Sequence, residues 1–130
     1  MRLLDTSVCV GWLTAQDVGV KRQIASLERD EVALCSVVKA ELLYGARASA
    51  RVRENLEKLA ALFALFPSLP FDDEASAHYG VLRAQLRRAG TPIGGNDMLI
   101  ASIAMAADAT LVTRNEKEFR LVPGLRVEVW

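Results

Sequence analysis

Five residues of this chain have the types and positions to do chemistry together: Asp5, Glu41, Asp97, Asn115 and Glu118. Asp5, Glu41 and Asp97 each leave an apolar segment at a strand end or a helix start, and Asn115 and Glu118 follow the short apolar run at Leu111. If those runs are parallel strands joined by right-handed crossovers, their carboxyl ends meet on one edge of a sheet. Three or four acids gathered there repel one another and do not all ionise unaided. A hard divalent cation, Mg²⁺ or Mn²⁺, relieves that repulsion, because both prefer carboxylate and water oxygens. No Cys/His set competes for zinc. Such a site suits phosphodiester hydrolysis, in which the ion acidifies a water and offsets charge at the phosphorus while a carboxylate takes the proton. Other routes lack their residues: there is no GxSxG and no Cys/His pair, and Gly94-Gly95 has neither a strand before it nor a Lys after it.

The elements that must position these acids follow from the patterning. Met1 to Leu4 is an apolar run too short for a helix, ending in Asp5, and Thr6 or Ser7 is placed to cap a helix reaching about Thr14. A second helix is expected from Val18 to about Arg29, then a buried strand at Val32–Cys35 with Ser36 as the next cap. The helix from Val37 to about Ala48 carries Glu41, whose neighbours three and four residues away are Val37, Val38, Tyr44 and Gly45, all uncharged. A carboxylate on such a face must be paired, protonated or bound to a cation. Arg51 to Phe66 reads as an amphipathic helix with Val52, Leu56, Leu59, Ala60, Phe63 and Phe66 as its stripe. Leu62 and Leu65 widen that stripe, for core burial or for a partner.

Pro67 and Pro70 bracket a third strand around Leu69 and Phe71, and Asp72 or Asp73 caps a helix running to Ala89 and closed by Gly90. The Gly94-Gly95 turn then delivers Asn96, as a cap, and Asp97 to a helix ending near Ala107, with Asp97 turned toward the core. The plain alternative for Asp97 is to offset the helix dipole, worth under about 1 kcal/mol. Thr110–Thr113 is the next strand, and Arg126–Trp130 alternates as a last edge strand. Strands alternating with helices define an α/β domain with a mainly parallel sheet, one domain over residues 1–130.

Composition narrows the partners. With 16 basic and 16 acidic residues the formal net charge is zero, so nothing steers the whole chain toward nucleic acid. Any such site needs local asymmetry, as at Arg47, Arg51 and Arg53, at Arg83, Arg87 and Arg88, or at Arg114 and Lys117. Cys9 and Cys35 sit in apolar runs outside any metal spacing, which suits inert thiols in a reducing cytoplasm. Asp5 interrupts what a signal peptide would need, and the greasy run Leu59–Phe66 is too short to span a bilayer, so no membrane association is expected. The only histidine, His78, has no ligand partner at helical spacing and reads as a packing or surface residue.

Leu3-Leu4-Asp5-Thr6-Ser7, Ser36 through Ala46, Pro92-Ile93-Gly94-Gly95-Asn96-Asp97 and Leu111 through Phe119, followed by Val122-Pro123-Gly124-Leu125 and Trp130, occur in an order and at distances that resemble the PIN-domain ribonucleases, in particular the VapC toxins of bacterial toxin–antitoxin pairs. The resemblance covers essentially the whole chain. It implies a three-layer α/β/α fold with a central, mainly parallel sheet of four to five strands. It also implies a Mg²⁺- or Mn²⁺-dependent endoribonuclease, held in check by a small VapB-like antitoxin. A homodimer is the usual form, with a heterotetramer or larger assembly when the antitoxin is bound. Carried over by position, Asp5 and Asp97 match the most direct metal ligands and Glu41 the third acid. Many relatives have Asp where this chain has Asn115, so Asn115 or Glu118 fills the fourth position. Thr6, Ser7, Asn96 and Thr113 flank the acids, with Ser7 standing where the family often has Asn, and Arg114 is a candidate phosphate contact. Family members often cut structured RNA such as transfer RNA. The competing readings are a PIN-fold regulatory module without catalysis and a metal nuclease that acts on DNA or in RNA maturation.

Overall fold

The computed structural model describes residues 1–14 and 17–130. In chain order, strand β1 (Arg2–Leu4) leads into helices α1 (Thr6–Leu13) and α2 (Val18–Ala25), and β2 (Val32–Cys35) into α3 (Ser36–Arg47) and α4 (Val52–Phe63). Next come β3 (Ser68–Leu69), α5 (Asp73–Ala89), α6 (Gly95–Ala106), β4 (Thr110–Thr113), α7 (Glu116–Phe119) and β5 (Val127–Val129). The five strands are ordered β3-β2-β1-β4-β5 and every pairing is parallel. The mainly parallel expectation is therefore met by an all-parallel sheet, with helices on both faces in three layers. Burial on both faces explains why β1, β2 and β4 read as unbroken apolar runs: Leu3, Leu4, all of β2, Leu111 and Val112 are inaccessible to solvent.

The strand order decides where a site can form. The chain leaves β1 toward β2 on one side, yet β4 flanks β1 on the other, so connections depart in opposite directions from the β1–β4 pair. Such a switch point opens a crevice beyond the carboxyl ends of the strands.

Several element ends differ from the sequence expectation for local reasons. The second helix stops at Ala25 rather than near Arg29, because the Ser26 hydroxyl bonds the Gln23 carbonyl. Beyond it a separate 3₁₀ turn at Arg29–Glu31 is set by a capping box between Glu28 and Glu31. Helix α4 ends at Phe63, three residues short of Phe66, ahead of Pro67. Its stripe is buried at Leu59, Leu62 and Phe66, packed against α3, while Ala60 faces solvent. The third strand is only Ser68–Leu69 and leaves Phe71 outside it. Asp72 caps α5 by accepting from the Ala75 N–H at 2.9 Å, and Gly90 closes that helix at φ 70°, a left-handed conformation that favours glycine. No described helix is long and apolar enough to cross a membrane.

Leu111 lies at the middle of the sheet between β1 and β5, with no exposed surface. Leu111→Ala should lower unfolding free energy by about 2–5 kcal/mol through lost burial and an unfilled cavity. Urea denaturation followed by circular dichroism measures this; a loss below about 1 kcal/mol would mean the core collapses around the gap.

Candidate active site

Asp5 sits at the head of the β1–β4 crevice. Its backbone N–H continues the ladder by donating to the Val112 carbonyl at 2.9 Å, so the residue is fixed by the sheet before its side chain makes any bond. Asp5, not Thr6 or Ser7, is the N-cap of α1. Its Oδ1 accepts from the Thr6 N–H at 2.7 Å, which meets the demand of a helix start for an acceptor. Oδ2 accepts from the Thr113 hydroxyl at 2.6 Å and from the Ser7 hydroxyl at 3.2 Å. Thr113 is the last residue of β4, so this bond spans the crevice. The two hydroxyls are themselves tied down, as Thr113 Oγ1 accepts from the Asn115 N–H at 3.0 Å and Ser7 Oγ from the Arg114 N–H at 3.1 Å. A carboxylate buried to 5 % exposure thus receives three donors and has one orientation open to it.

Glu41 arrives from the first half of α3. Its Oε1 accepts from the Thr6 hydroxyl at 2.9 Å, so Thr6 joins Asp5 through its backbone and Glu41 through its side chain. The neutral helix face leaves Glu41 with a hydroxyl partner and no ion pair among the described residues. A cleft of about 620 Å³ opens beside it, lined by Ser36, Tyr44, Asn96 and Leu99 among others. Asn96 is not the cap of α6. That position falls to Gly94, which has no side chain to offer.

Glu118 supplies what Gly94 lacks. It lies on α7, and its Oε1 accepts from the Gly94 N–H at 2.6 Å while Oε2 accepts from the Asn115 side-chain amide at 2.7 Å. A Cβ at Gly94 would stand 3.5 Å from Glu118 Oε1 and 3.6 Å from Asp97 Oδ2, so both carboxylates lie close to one backbone position. Burial, the facing Glu118 carboxylate, and then the charges of Asp5 and Glu41 raise the Asp97 pKa to about 7. Glu118 moves the other way, held below the usual range by the Gly94 N–H, by the neighbouring Asp97 carboxyl and by Asn115. The crowding of acids expected from the sequence is therefore physical. Asp5, Glu41, Asp97 and Glu118 are drawn to one edge, with Asn115 orienting Glu118.

Arg114 is placed differently from a free phosphate contact. Its guanidinium pairs with Asp17, across the surface of α1 at Gly11. A Cβ on Gly11 would come within 2.8 Å of Asp17 Oδ2 and 3.2 Å of the Arg114 guanidinium, so the bare glycine makes room for the pair. That guanidinium lowers the Asp17 pKa. Asp17 and Gly11 carried no sequence signal, since their link is a contact between distant loops. Cys9 and Cys35 are buried, unbridged thiols whose pKa values burial pushes up, which leaves them protonated. Among the described residues, no three His, Cys, Asp or Glu side chains are grouped tightly enough to hold a metal ion by themselves.

A family model described as the PIN domain matches residues 2–125. Ribonuclease VapC2 of Rickettsia felis is 37% identical over 129 residues, covering 98% of this chain and 96% of the relative. The chain belongs to the VapC branch of the PIN-domain family. The tRNA(fMet)-specific endonuclease VapC of Salmonella typhimurium is 32% identical over 128 residues, with the same coverage of 98% and 96%. The crystal structure of VapBC2 from Rickettsia felis bound to a promoter DNA fragment contains a chain that superposes with a TM-score of 0.94 at 36% identity, covering 99% of this chain and 98% of that one. This PIN domain therefore keeps the architecture of its relatives from end to end.

Because the Asp97 pKa is raised from 3.8 to about 7 on folding, the native state holds more protons than the unfolded chain between those values. Stability without divalent cations should therefore fall as pH rises through that window. Asp97→Asn removes this titration and keeps an amide donor toward Glu118. Its melting temperature should stay level between about pH 4 and 7, where that of the wild type falls, so that the difference between them grows in the variant's favour up to about pH 8. Melting scans in EDTA across this range test it, and parallel curves for the two proteins would refute the crowding.

Proposed function

We propose that this acidic edge is where the chain cuts RNA, with a Mg²⁺ or Mn²⁺ ion held chiefly by Asp5 and Asp97. The chain is a hydrolytic endoribonuclease of the toxin–antitoxin kind, by its full-length membership among VapC ribonucleases. The ion, the residue roles, the RNA and the assembly are our reading. One observation carries it: burial first, and then the neighbouring Glu118, Asp5 and Glu41, raise the Asp97 pKa to about 7. A divalent cation would take the place of the Asp97 proton. The carboxylates offer hard oxygen donors, which suit Mg²⁺ or Mn²⁺.

When bound, such an ion supplies an acidified water and a counter-charge for the phosphate. The remaining work falls to this chain's own groups. Asp5, locked by Thr6, Ser7 and Thr113, presents one fixed charge that needs no reorganisation. Glu41 is anchored at one oxygen by Thr6, and its other oxygen has no donor among the described residues, which leaves it to accept the proton of the attacking water. Glu118 and Asn115 hold the first turn of α6, and with it Asp97, against the crevice.

Transfer RNA is the first substrate to test, since the Salmonella relative is named for one. A small VapB-like antitoxin is the natural partner, as in the Rickettsia felis complex, with the toxin as a homodimer inside a heterotetramer or larger assembly.

The antitoxin-free chain should cut total transfer RNA with Mg²⁺ or Mn²⁺, stop in EDTA, and lose cutting in Asp97→Asn. Cutting that survives both EDTA and the substitution would sink the assignment. Cutting of a DNA control at equal rate would move the function to DNA. Thr113→Val, which strips Asp5 of its crevice-spanning donor, should lower the cleavage rate about 10- to 100-fold, the usual cost of losing a group that orients a metal ligand. An unchanged rate would mean that Ser7 and Thr6 suffice.

A further inference from the structure

A second cleft adjoins the start of α6, next to the acidic edge. It has a volume of about 450 Å³ and lies between α5 and the first turn of α6. Tyr79, Arg83 and Arg87 line one wall, Leu86, Ile93 and Met98 form an apolar floor, and Gly95 closes it toward the acids. Gly95 directly follows Gly94, whose N–H donates to Glu118, and precedes Asp97 by two residues, so cleft and acids share one turn of backbone.

Two arginines without an acid partner stand together in its lining. In a chain of zero net charge, Arg2, Arg51, Arg53, Arg114, Arg120 and Arg126 all pair with acids. Arg83 and Arg87 pair with none among the described residues. Arg87, in the last turn of α5, also offsets that helix's dipole, but Arg83 stands more than a turn earlier and has no such duty. It lies over the Tyr79 ring, 5.9 Å from its centroid, and donates to the Tyr79 hydroxyl at 2.9 Å. Phe71 braces the same ring edge-on at 6.0 Å. The result is a preset aromatic and guanidinium surface beside a place where phosphodiesters are cut.

We propose that this cleft is a subsite for the single-stranded RNA segment leaving the acidic edge, with Arg83 and Arg87 on its phosphates and Tyr79 with the Arg83 plane as a stacking surface for a base. Unpaired bases are bound in this way, by aromatic and guanidinium faces beside backbone-tracking cations. A cavity of 450 Å³ also falls in the range of about 300–1,000 Å³ typical of ligand sites. An acidic peptide would satisfy the arginines but leave the ring and the adjoining cutting edge without purpose. The subsite rests on the reading of this chain as an RNase.

The test uses the full chain, free of antitoxin, with Asp97→Asn as the uncut background. Fluorescein-labelled transfer RNA is titrated by anisotropy between about 50 and 200 mM salt, where phosphate contacts register as a slope. Adding Arg83→Gln and Arg87→Gln should weaken binding about 10-fold and flatten the plot of log Kd against log salt by about 0.7 for each lost phosphate contact. Tyr79→Ala should weaken binding with the slope unchanged, while Tyr79→Phe keeps it. In the cleaving protein the double substitution should raise KM and leave kcat near wild type, with circular dichroism confirming the fold. Equal affinity and slope for the double variant, in a protein whose parent binds and cuts transfer RNA, would overturn the subsite alone. Failure of the parent to bind any RNA would bring down both the subsite and the RNase reading. Loss of antitoxin capture with RNA affinity intact would give the cleft to a protein partner and overturn the proposal.

Discussion

The structure depends on the repulsion among carboxylates held at the crevice between β1 and β4. An acid in that position costs free energy unless each oxygen is met by a donor or its charge is removed. The chain meets this cost differently at each residue. Asp5 is saturated with donors, Glu41 takes one hydroxyl, Glu118 takes a backbone N–H and an amide, and Asp97 keeps its proton. A site arranged in this way is poised for a cation, since the group left protonated is the one a cation would most relieve.

Those same bonds hold distant parts of the chain together. The Thr113–Asp5 bond joins residues 108 apart in sequence, Thr6–Glu41 joins residues 35 apart, and Gly94–Glu118 joins residues 24 apart. Asp5, Glu41 and Glu118 are therefore structural joints, whatever chemistry they do. Asp5 shows the double use most plainly, because one oxygen starts α1 while the other closes the crevice. The Arg114–Asp17 pair adds a further tie, drawing the loop after β4 onto α1 so that the Arg114 N–H can hold Ser7 in place.

Zero net charge does not conflict with a polyanionic substrate. Half of the twelve arginines pair with neighbouring acids among the described residues, which leaves the free positive charge in separate local patches. One of these lies beside the acidic edge. Local asymmetry of this kind positions a strand where a uniformly basic surface would bind it anywhere.

Much of this was legible in the residues themselves. The short apolar runs ending in Asp5 and Thr113, the neutral helix face around Glu41 and the Asp72 and Gly90 caps of α5 are local patterns, set by side-chain periodicity and backbone preference. Those patterns determined an α/β chain with acids at its strand ends. Tertiary structure alone decided the rest. Asp5 displaced Thr6 and Ser7 as the helix cap because the sheet had already fixed its backbone. Glu118, rather than Asn96, met the bare start of α6, because α7 folds back across the crevice. Arg114 turned to Asp17 over a glycine whose missing side chain matters only once α1 and the β4 loop touch. Periodicity fixes which face a residue takes along its own element, but contacts between elements far apart in sequence depend on the packing of the whole sheet, and no local pattern encodes them.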